Sequence, residues 1–511
     1  MSSILTNTSA MIALQTMKSI NKDLTQVQNE ISTGKTVATA KDNASVWAIS
    51  KVMESDVKGF SGISDSLDLA NSALGVARDA SESIQDMLNE IKTKIVSAQE
   101  DTSDRAKLQT DINNYIDQIK SISNAAQFYG LNLLKGTEST QVLSSLDRDS
   151  AGNVTASKIS VARSDLTTGS GTYGSGTVLN ANAVVSDTAA GALNNTGNTA
   201  VITLASATDY STATASFSIG GVSFSFAAGE LGGAADDQDA AAATLAGRIN
   251  ALGIEGITAS VSGASVTLSS SRAFEGVAVD INGLGGAAAG TQITEVNGAA
   301  VAASSATIDE RSQSVTLDKA AAVAEGDGYR VSLAGQNFTY VAGPNETMED
   351  VARGLKTAID SGKVAGVTTS VTKNDDGEWV LKIDNSSSTA MTLSAVGNAG
   401  GKASGGLFGL DQIDVTTAAS AASALSNIEG MINTAIDAAA AFGAAQIRVE
   451  TQYDFISKLS DALTTGIGTM VDADMEEASA RLQALQVQQQ LGIQALSIAN
   501  SAPQSILSLF Q

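Results

Sequence analysis

The side chains able to do chemistry here are carboxylates, because the 511-residue chain contains no histidine and no cysteine. Two stretches come into question as sites, Asp42-Asn43 within TAKDNAS and the acidic run Asp472-Ala473-Asp474-Met475-Glu476-Glu477. Carboxylates alone could hold calcium, or act as a paired general acid and base. Zinc sites of the usual ligand types, thiolate nucleophiles and imidazole proton transfer are excluded by composition, and no disulfide can form. The second run lacks the ligand spacing and turn glycine of a calcium loop. A helix start that favours acid accounts for it better, and Asp42-Asn43 reads as a turn or capping pair beside a break. The chain therefore reads as a non-enzyme with no cofactor and no metal.

The elements that would position those residues are long helices at both ends of the chain. Met17, Ile20, Leu24, Val27 and Ile31 step by 3, 4, 3, 4, and Leu108, Ile112, Tyr115, Ile119 and Ile122 step by 4, 3, 4, 3; both are heptad seams. Ser32-Thr33-Gly34-Lys35 breaks the first helix, and Gly59 with Gly62 suggests a second interruption. Ile84, Leu88, Ile91 and Ile95 continue a stripe that Glu100 to Asp104 ends before the next helix is capped. In the C-terminal arm Val449, Ile456, Leu459 and Leu463 form a seam, and Leu482, Leu485, Leu491 and Leu496 mark a last helix ending near Pro503.

After Gly136 the texture changes to Gly, Ser, Thr and Ala with alternating stretches, such as Phe217, Ile219, Val222, Phe224 and Phe226 around Gly220-Gly221. Two stretches read as copies of one hairpin-helix-hairpin unit, roughly 200–285 and 320–400, with Leu245 matching Leu355 and Ile249 matching Ile359. Gly283 to Gly290 and Gly397 to Gly406 read as joints. The expected class is α+β multidomain: helical coiled-coil arms packed together, with a central β-rich excursion of two small α+β modules.

Charge is distributed unevenly. Of the net charge of -24, residues 1–136 carry -3, the middle -13 and residues 411–511 carry -8. So acidic a chain is not built for nucleic acid or an anionic membrane surface. Met1 to Met17 and Leu482 to Gln511 contain no charged residue at all. They are too interrupted by Gln, Ser, Asn and Thr to insert in a membrane, and too narrowly apolar to be stable alone. Both ends look made to be covered by protein, either another copy or the other end. MSSILTNTSA has neither a basic region nor an apolar core, so it does not read as a cleavable secretory signal.

The arms together resemble bacterial flagellin, the subunit of the flagellar filament. The resemblance rests on ILTNTSAMIAL, ISTGK, TAKDNAS, DVKGF and NAAQFYGLNLL at the N-terminal end. At the C-terminal end it rests on FGAAQIRVE and on VDADMEEASARLQALQVQQQLGIQALSIANSAPQSILSLF with its terminal Gln511. The middle matches only in character. The resemblance implies a structural role in swimming motility, polymerisation with other copies, and export unfolded through the flagellar type III apparatus to an extracellular flagellum. It also implies a flagellar cap, hook-filament junction proteins and an export chaperone as partners. Alternatives are a hook-filament junction protein, which shares the terminal helices, and a surface adhesin displayed through the central modules. The expected domains are an inner arm at 1–45, the N-terminal core layer with a hairpin region at 46–178, outer modules at 179–300 and 301–405, the C-terminal core layer at 406–455, and an inner arm at 456–511.

The expected self-assembly interface comprises Leu14, Met17, Leu24, Val27, Ile31, Asp42, Asn43, Arg448, Ile456, Leu463, Leu482, Leu485, Leu491, Leu496, Leu507 and Leu509. Arg448, nearly alone among the basic residues of its arm, is expected to pair across to the N-terminal helices and fix register. Flagellins that activate the animal innate receptor carry an arginine and a following leucine on the helix surface found here at Asn89 to Ala98. This chain has Glu90 and Lys94 at those positions, which implies weak receptor activation. The dense Ser and Thr of the middle permit O-glycosylation.

Overall fold

The structure, a computed structural model, describes residues 7–149, 153–179, 185–186, 191–193, 195–206, 210–232, 237–285 and 290–507. Its helices are α1 (Thr8–Thr33), α2 (Ala44–Ala98), α3 (Arg105–Ala125), α4 (Gln238–Ala251), α5 (Met348–Ser361), α6 (Ala418–Val471) and α7 (Met475–Leu507). The chain divides into two compact units, one of Met1–Leu74, Thr140–Val161 and Ala444–Gln511, the other of Gly75–Ser139 and Ala162–Gly443. Helices α2 and α6 each run from one unit into the other.

In the first unit, α1 and α7 lie side by side. The side chain of Asn7 caps α1 by accepting from the Ala10 N–H at 3.0 Å. Gly34 ends the helix in the left-handed region at φ +68, and its N–H donates to Glu30 O at 2.9 Å. A hairpin of β1 (Thr140–Arg148) and β2 (Val154–Val161) belongs to the same unit. It is tied to the helices by Arg148 to Asp56 at 2.5 Å and by the Gln452 amide donating to Ser144 O at 2.8 Å.

The hairpin accounts for Gly59, which does not interrupt anything: α2 runs unbroken through Gly59 and Gly62. A Cβ at Gly59 would come within 2.7 Å of Leu146 Cδ1, so the glycine is a notch that admits the hairpin side chain. Pro503 likewise fails to end α7, which continues to Leu507. A proline this close to a helix end removes one ladder hydrogen bond where few remain to lose.

In the second unit, Ile84, Leu88, Ile91 and Ile95 of α2, Ile112 and Ile119 of α3, and Ile428, Ala435 and Phe442 of α6 are fully or almost fully buried. The Asp104 side chain caps α3, and Arg105 Nε donates to the α2 carbonyl of Ala98 at 2.7 Å, satisfying a helix-end acceptor. Gln109 grips the segment before α6 with both ends of its amide, donating to Ile413 O at 2.9 Å and accepting from Val415 N at 2.8 Å.

The rest of this unit is an internal repeat. The first copy runs β5 (Asn198–Thr203), β6 (Thr214–Ile219), β7 (Val222–Phe226), α4, β8 (Ile257–Ser262), β9 (Ser265–Ser270) and β10 (Val277–Gly285). The second runs β14 (Gln313–Leu317), β15 (Gly328–Leu333), β16 (Gln336–Val341), α5, β17 (Val367–Lys373), β18 (Trp379–Asn385) and β19 (Met391–Asn398). In each copy the strand before the first hairpin pairs with the end of the second hairpin, and the strand after the second returns to the first. Each copy therefore has two antiparallel sheets; α4 packs against the second hairpin of its copy, and α5 against both hairpins of its own. Leu245 and Ile249 of α4, and Leu355 and Ile359 of α5, occupy matching buried positions, each worth about 2 kcal/mol of apolar burial.

The edges are completed out of order. The first copy receives β11 (Gln292–Val296), β12 (Ala299–Ala303) and β13 (Ser305–Ile308). The second receives β3 (Val185–Ser186) and β4 (Gly191–Leu193), which precede the first copy in the chain. The assignment of all of 179–300 to the first module is corrected accordingly: strands of two and three residues carry no readable period. The boundary at 455/456 also falls inside the continuous α6.

The glycines of 397–406 do not form a joint. Thr172 and Lys402 exchange backbone hydrogen bonds at 2.9 Å, and a Cβ on Gly401 would sit 2.5 Å from Thr172 O. That segment is clamped by close backbone approach. Residues 286–289 of the other expected joint lie outside the described residues.

Candidate assembly interface

The pairing of α1 with α7 is antiparallel and set by polar contacts at three levels. Asn7 Nδ2 donates to Ala499 O at 2.8 Å, Gln489 Nε2 donates to Asn21 Oδ1 at 2.7 Å, and the Ala473 N–H donates to Gly34 O at 3.0 Å. At the last level the break after α1 meets the break between α6 and α7. Lys35 and Asp472 form a β-bridge there, and the Thr36 N–H donates to Val471 O at 2.8 Å. The two interruptions are one structure, a junction in which each strand satisfies the other's orphan helix-end groups.

The acidic runs behave as local backbone partners. Asp42 accepts from both the N–H and the hydroxyl of Thr39, at 2.9 and 3.0 Å, and these bonds hold its carboxyl below the ordinary range. Asn43 Oδ1 accepts from Val46 N at the start of α2. Asp474 accepts from the N–H groups of Glu476 and Glu477 at the start of α7. Among the described residues no three acidic side chains converge to hold a metal ion.

Along the α1 seam Val27 is buried, while Met17, Leu24 and Ile31 are half-buried; Ile20, also in the seam, is buried too. Gly492 of α7 lies over Met17 and Ile20 at ordinary contact distance. Ile456 is buried, and Leu463, Leu482, Leu485 and Leu496 are half-buried. Leu14 and Leu491 are exposed, by 47% and 58%. Sequence spacing gave no reason to separate them from the seam, because a helix paired with a single partner buries only part of its apolar stripe. Met11, Ile12, Val487, Ile493 and Ile498 are exposed as well and were not singled out by pattern.

Asp42 and Asn43 are exposed at their turn. Arg448 is exposed on α6, and the expected register pairing with the N-terminal helices is not made among the described residues. The side chain of Leu507 and the whole of Leu509 lie outside the described residues. Glu90 is exposed on α2, and the half-buried Lys94 reaches Asp111 of α3 at 3.3 Å.

The second unit holds a separate cleft of about 380 Å³, whose lining includes Tyr340, Glu346, Asp350, Arg353 and Arg163. Tyr340 OH donates to Glu346 Oε2 at 2.9 Å. Burial raises the Glu346 carboxyl to about 7 and pushes the Tyr340 hydroxyl well up. Sequence reading missed this cluster, since cross-strand register brings Tyr329 opposite Tyr340.

No helix among the described residues is long and apolar enough to cross a membrane. Residues 4–139 match the bacterial flagellin N-terminal helical region and residues 425–510 the bacterial flagellin C-terminal helical region. Flagellin A of Rhizobium meliloti is 31% identical over 520 residues, covering 100% of both chains. Flagellin D of Rhizobium meliloti (strain 1021) is 31% identical over 527 residues, again covering 100% of both. Among solved structures, flagellar hook associated protein-3 from Legionella pneumophila aligns over 82% of this chain and 98% of its own, at 11% identity and a TM-score of 0.32.

Proposed function

The chain belongs to the bacterial flagellin family and is a structural subunit of the flagellar filament, and on that premise we propose that its polymerising surface is the sparsely charged α1–α7 pair. The observation that carries this is an imbalance in burial. The pair leaves Met11, Ile12, Leu14, Val487, Leu491, Ile493 and Ile498 exposed on helices with few charges. Exposed apolar stripes are unfavourable in water, and neighbouring copies that cover them supply the missing stabilisation by mass action. A heterologous contact that repeats without closing grows a filament.

The interface extends through Met17, Leu24, Val27, Ile31, Ile456, Leu463, Leu482, Leu485 and Leu496, with Leu507 and Leu509 at its end. Arg448, without an ion-pair partner among the described residues, is available to a carboxylate of a neighbour, and Asp42 and Asn43 hold the turn between α1 and α2. Residues 1–45 and 456–511 act as the inner arms, 46–178 and 406–455 as the core layer, and the two repeats as the exterior. The chain is exported unfolded by the flagellar type III apparatus with an export chaperone, and is added beneath a cap onto hook-filament junction proteins. Glu90 and Lys94 in place of an arginine and a leucine make it a weak agonist of the innate receptor.

The test is seeded growth followed by electron microscopy. Full-length protein is expected to elongate seeds, and protein cut after Arg481 to remain monomeric. Elongation at equal rates by both would refute the assignment of the interface to the arms.

A further inference from the structure

Tyr129 stands at the tip of a tight turn shortly after α3, 88% exposed, the most exposed aromatic among the described residues. Its backbone is left-handed at φ +50, and Gly130 follows at φ +80. Phe128 and Leu131 close the turn by exchanging two backbone hydrogen bonds, both 2.9 Å. Two successive left-handed residues are the conformation that Asn-Gly fills without strain, whereas a bulky aromatic there is a genuine outlier. The ring gains little from its own chain in return. It touches Phe128 edge-on, with centroids 5.1 Å apart, and its hydroxyl has no hydrogen-bond partner among the described residues. Backbone strain and an apolar ring left in water are both unfavourable, and they fall on the same residue.

The surroundings identify what would cover the ring. Between Lys120 and Lys135 there is no charged residue. Copies of a chain with net charge -24 repel one another, so close contact between copies favours surfaces from which charge is absent. This segment shares that property with Met1–Met17 and Leu482–Gln511, and it lies within the matched flagellin N-terminal helical region, outside the two repeats. We propose that Tyr129 is an assembly anchor that seats in a neighbouring copy of this chain when the filament forms. The turn fixes the backbone that presents the ring, and a tyrosine has only two side-chain torsions to lose on docking, which is how tyrosines become dominant contacts in interfaces.

The inference rests on polymerisation through the arms, and the experiment separates the two. Full-length Tyr129→Asn keeps the turn and relieves its backbone, and Tyr129→Phe keeps the ring. The Asn variant is expected to melt as a monomer at the parental temperature or higher, yet to need about tenfold or more protein to elongate seeds. The Phe variant is expected to elongate like the parent. An unchanged critical concentration for Tyr129→Asn, with the parent elongating normally, would overturn the anchor and leave the arms untouched. A clearly lower melting temperature for Tyr129→Asn would also overturn it, by showing that the ring serves its own chain. If the parent itself fails to elongate seeds, the reading of the arms falls and the anchor with it.

Discussion

Glu346 makes the stability of the second repeat depend on pH in the direction opposite to that of most paired carboxylates. It sits in the turn between β16 and α5, bonded by Tyr340 OH at 2.9 Å, in a cleft that also receives Asp350 and Arg353 from α5, Asp437 from α6, and Arg163 with Asp165. Arg353 is committed to Glu349 at 2.9 Å, so it does not neutralise the site. Burial raises the carboxyl from 4.5 to about 7, bonds from Tyr340 and Gly343 offset part of the rise, and the Asp350 charge adds to it. Below pH 4.5 both folded and unfolded chains hold the proton, and Glu346 costs nothing. Between 4.5 and about 7 only the folded chain holds it, so stability falls as pH rises, and above about 7 the loss is complete. The full shift corresponds to roughly 3 kcal/mol, and water entering the cleft reduces this to about 1–3 kcal/mol. With Trp47 replaced by Phe, Trp379 on β18 becomes the sole tryptophan and reports urea unfolding of this repeat. The advantage of Glu346→Gln over its parent is expected to be about 1–3 kcal/mol larger at pH 8 than at pH 4.5. A difference independent of pH, or one that grows toward acid, would refute the assignment.

The same tryptophan tests the buried ion pair between β18 and the residues before β14. Arg311 grips Asp384 through two bonds of 2.7 and 2.8 Å, and Asp384 is 2% exposed. Arg311→Met strands that carboxylate and is expected to cost about 3–5 kcal/mol in urea unfolding, most of it recovered by adding Asp384→Leu. Gly34→Ala meets no atom within 4 Å, so its cost is backbone strain alone, about 1–2 kcal/mol. It should appear as several-fold faster hydrogen exchange at the Ala473 amide, whose acceptor is Gly34 O; unchanged exchange would show that the junction does not depend on the left-handed residue.

What could be read in advance follows from signal length. The heptads of α1 and α3 repeat over several turns, and the two hairpin-helix-hairpin copies each span dozens of residues, so period and repeat were both legible. The edge strands β3 and β4 were not, because two or three residues define no period and their partners lie more than a hundred positions away. Gly59 misled for a related reason. A glycine in a helix marks either a break or a close approach, and only the position of Leu146 decides between them. The Glu346 cluster was invisible because Tyr329, Tyr340 and Glu346 are ordinary residues until strand register sets the first two opposite each other and the following turn brings the third to the Tyr340 hydroxyl.

The candidate interface was legible in kind and not in detail. Spacing alone marks Leu14, Met17, Leu24 and Val27 as equivalent members of one apolar stripe. The structure separates them, because antiparallel α7 covers Val27 and part of Met17 and leaves Leu14 exposed. That separation matters for assembly: residues already buried between α1 and α7 stabilise the pair, whereas those still exposed can contribute free energy only when another copy arrives. Absence of charge is the property both groups need, for different reasons. Between α1 and α7 the register contact of Gln489 with Asn21 is made by neutral amides, which salt does not weaken as it would an ion pair. On the outside the absence of charge removes the repulsion that a strongly acidic chain would otherwise present to its own copies.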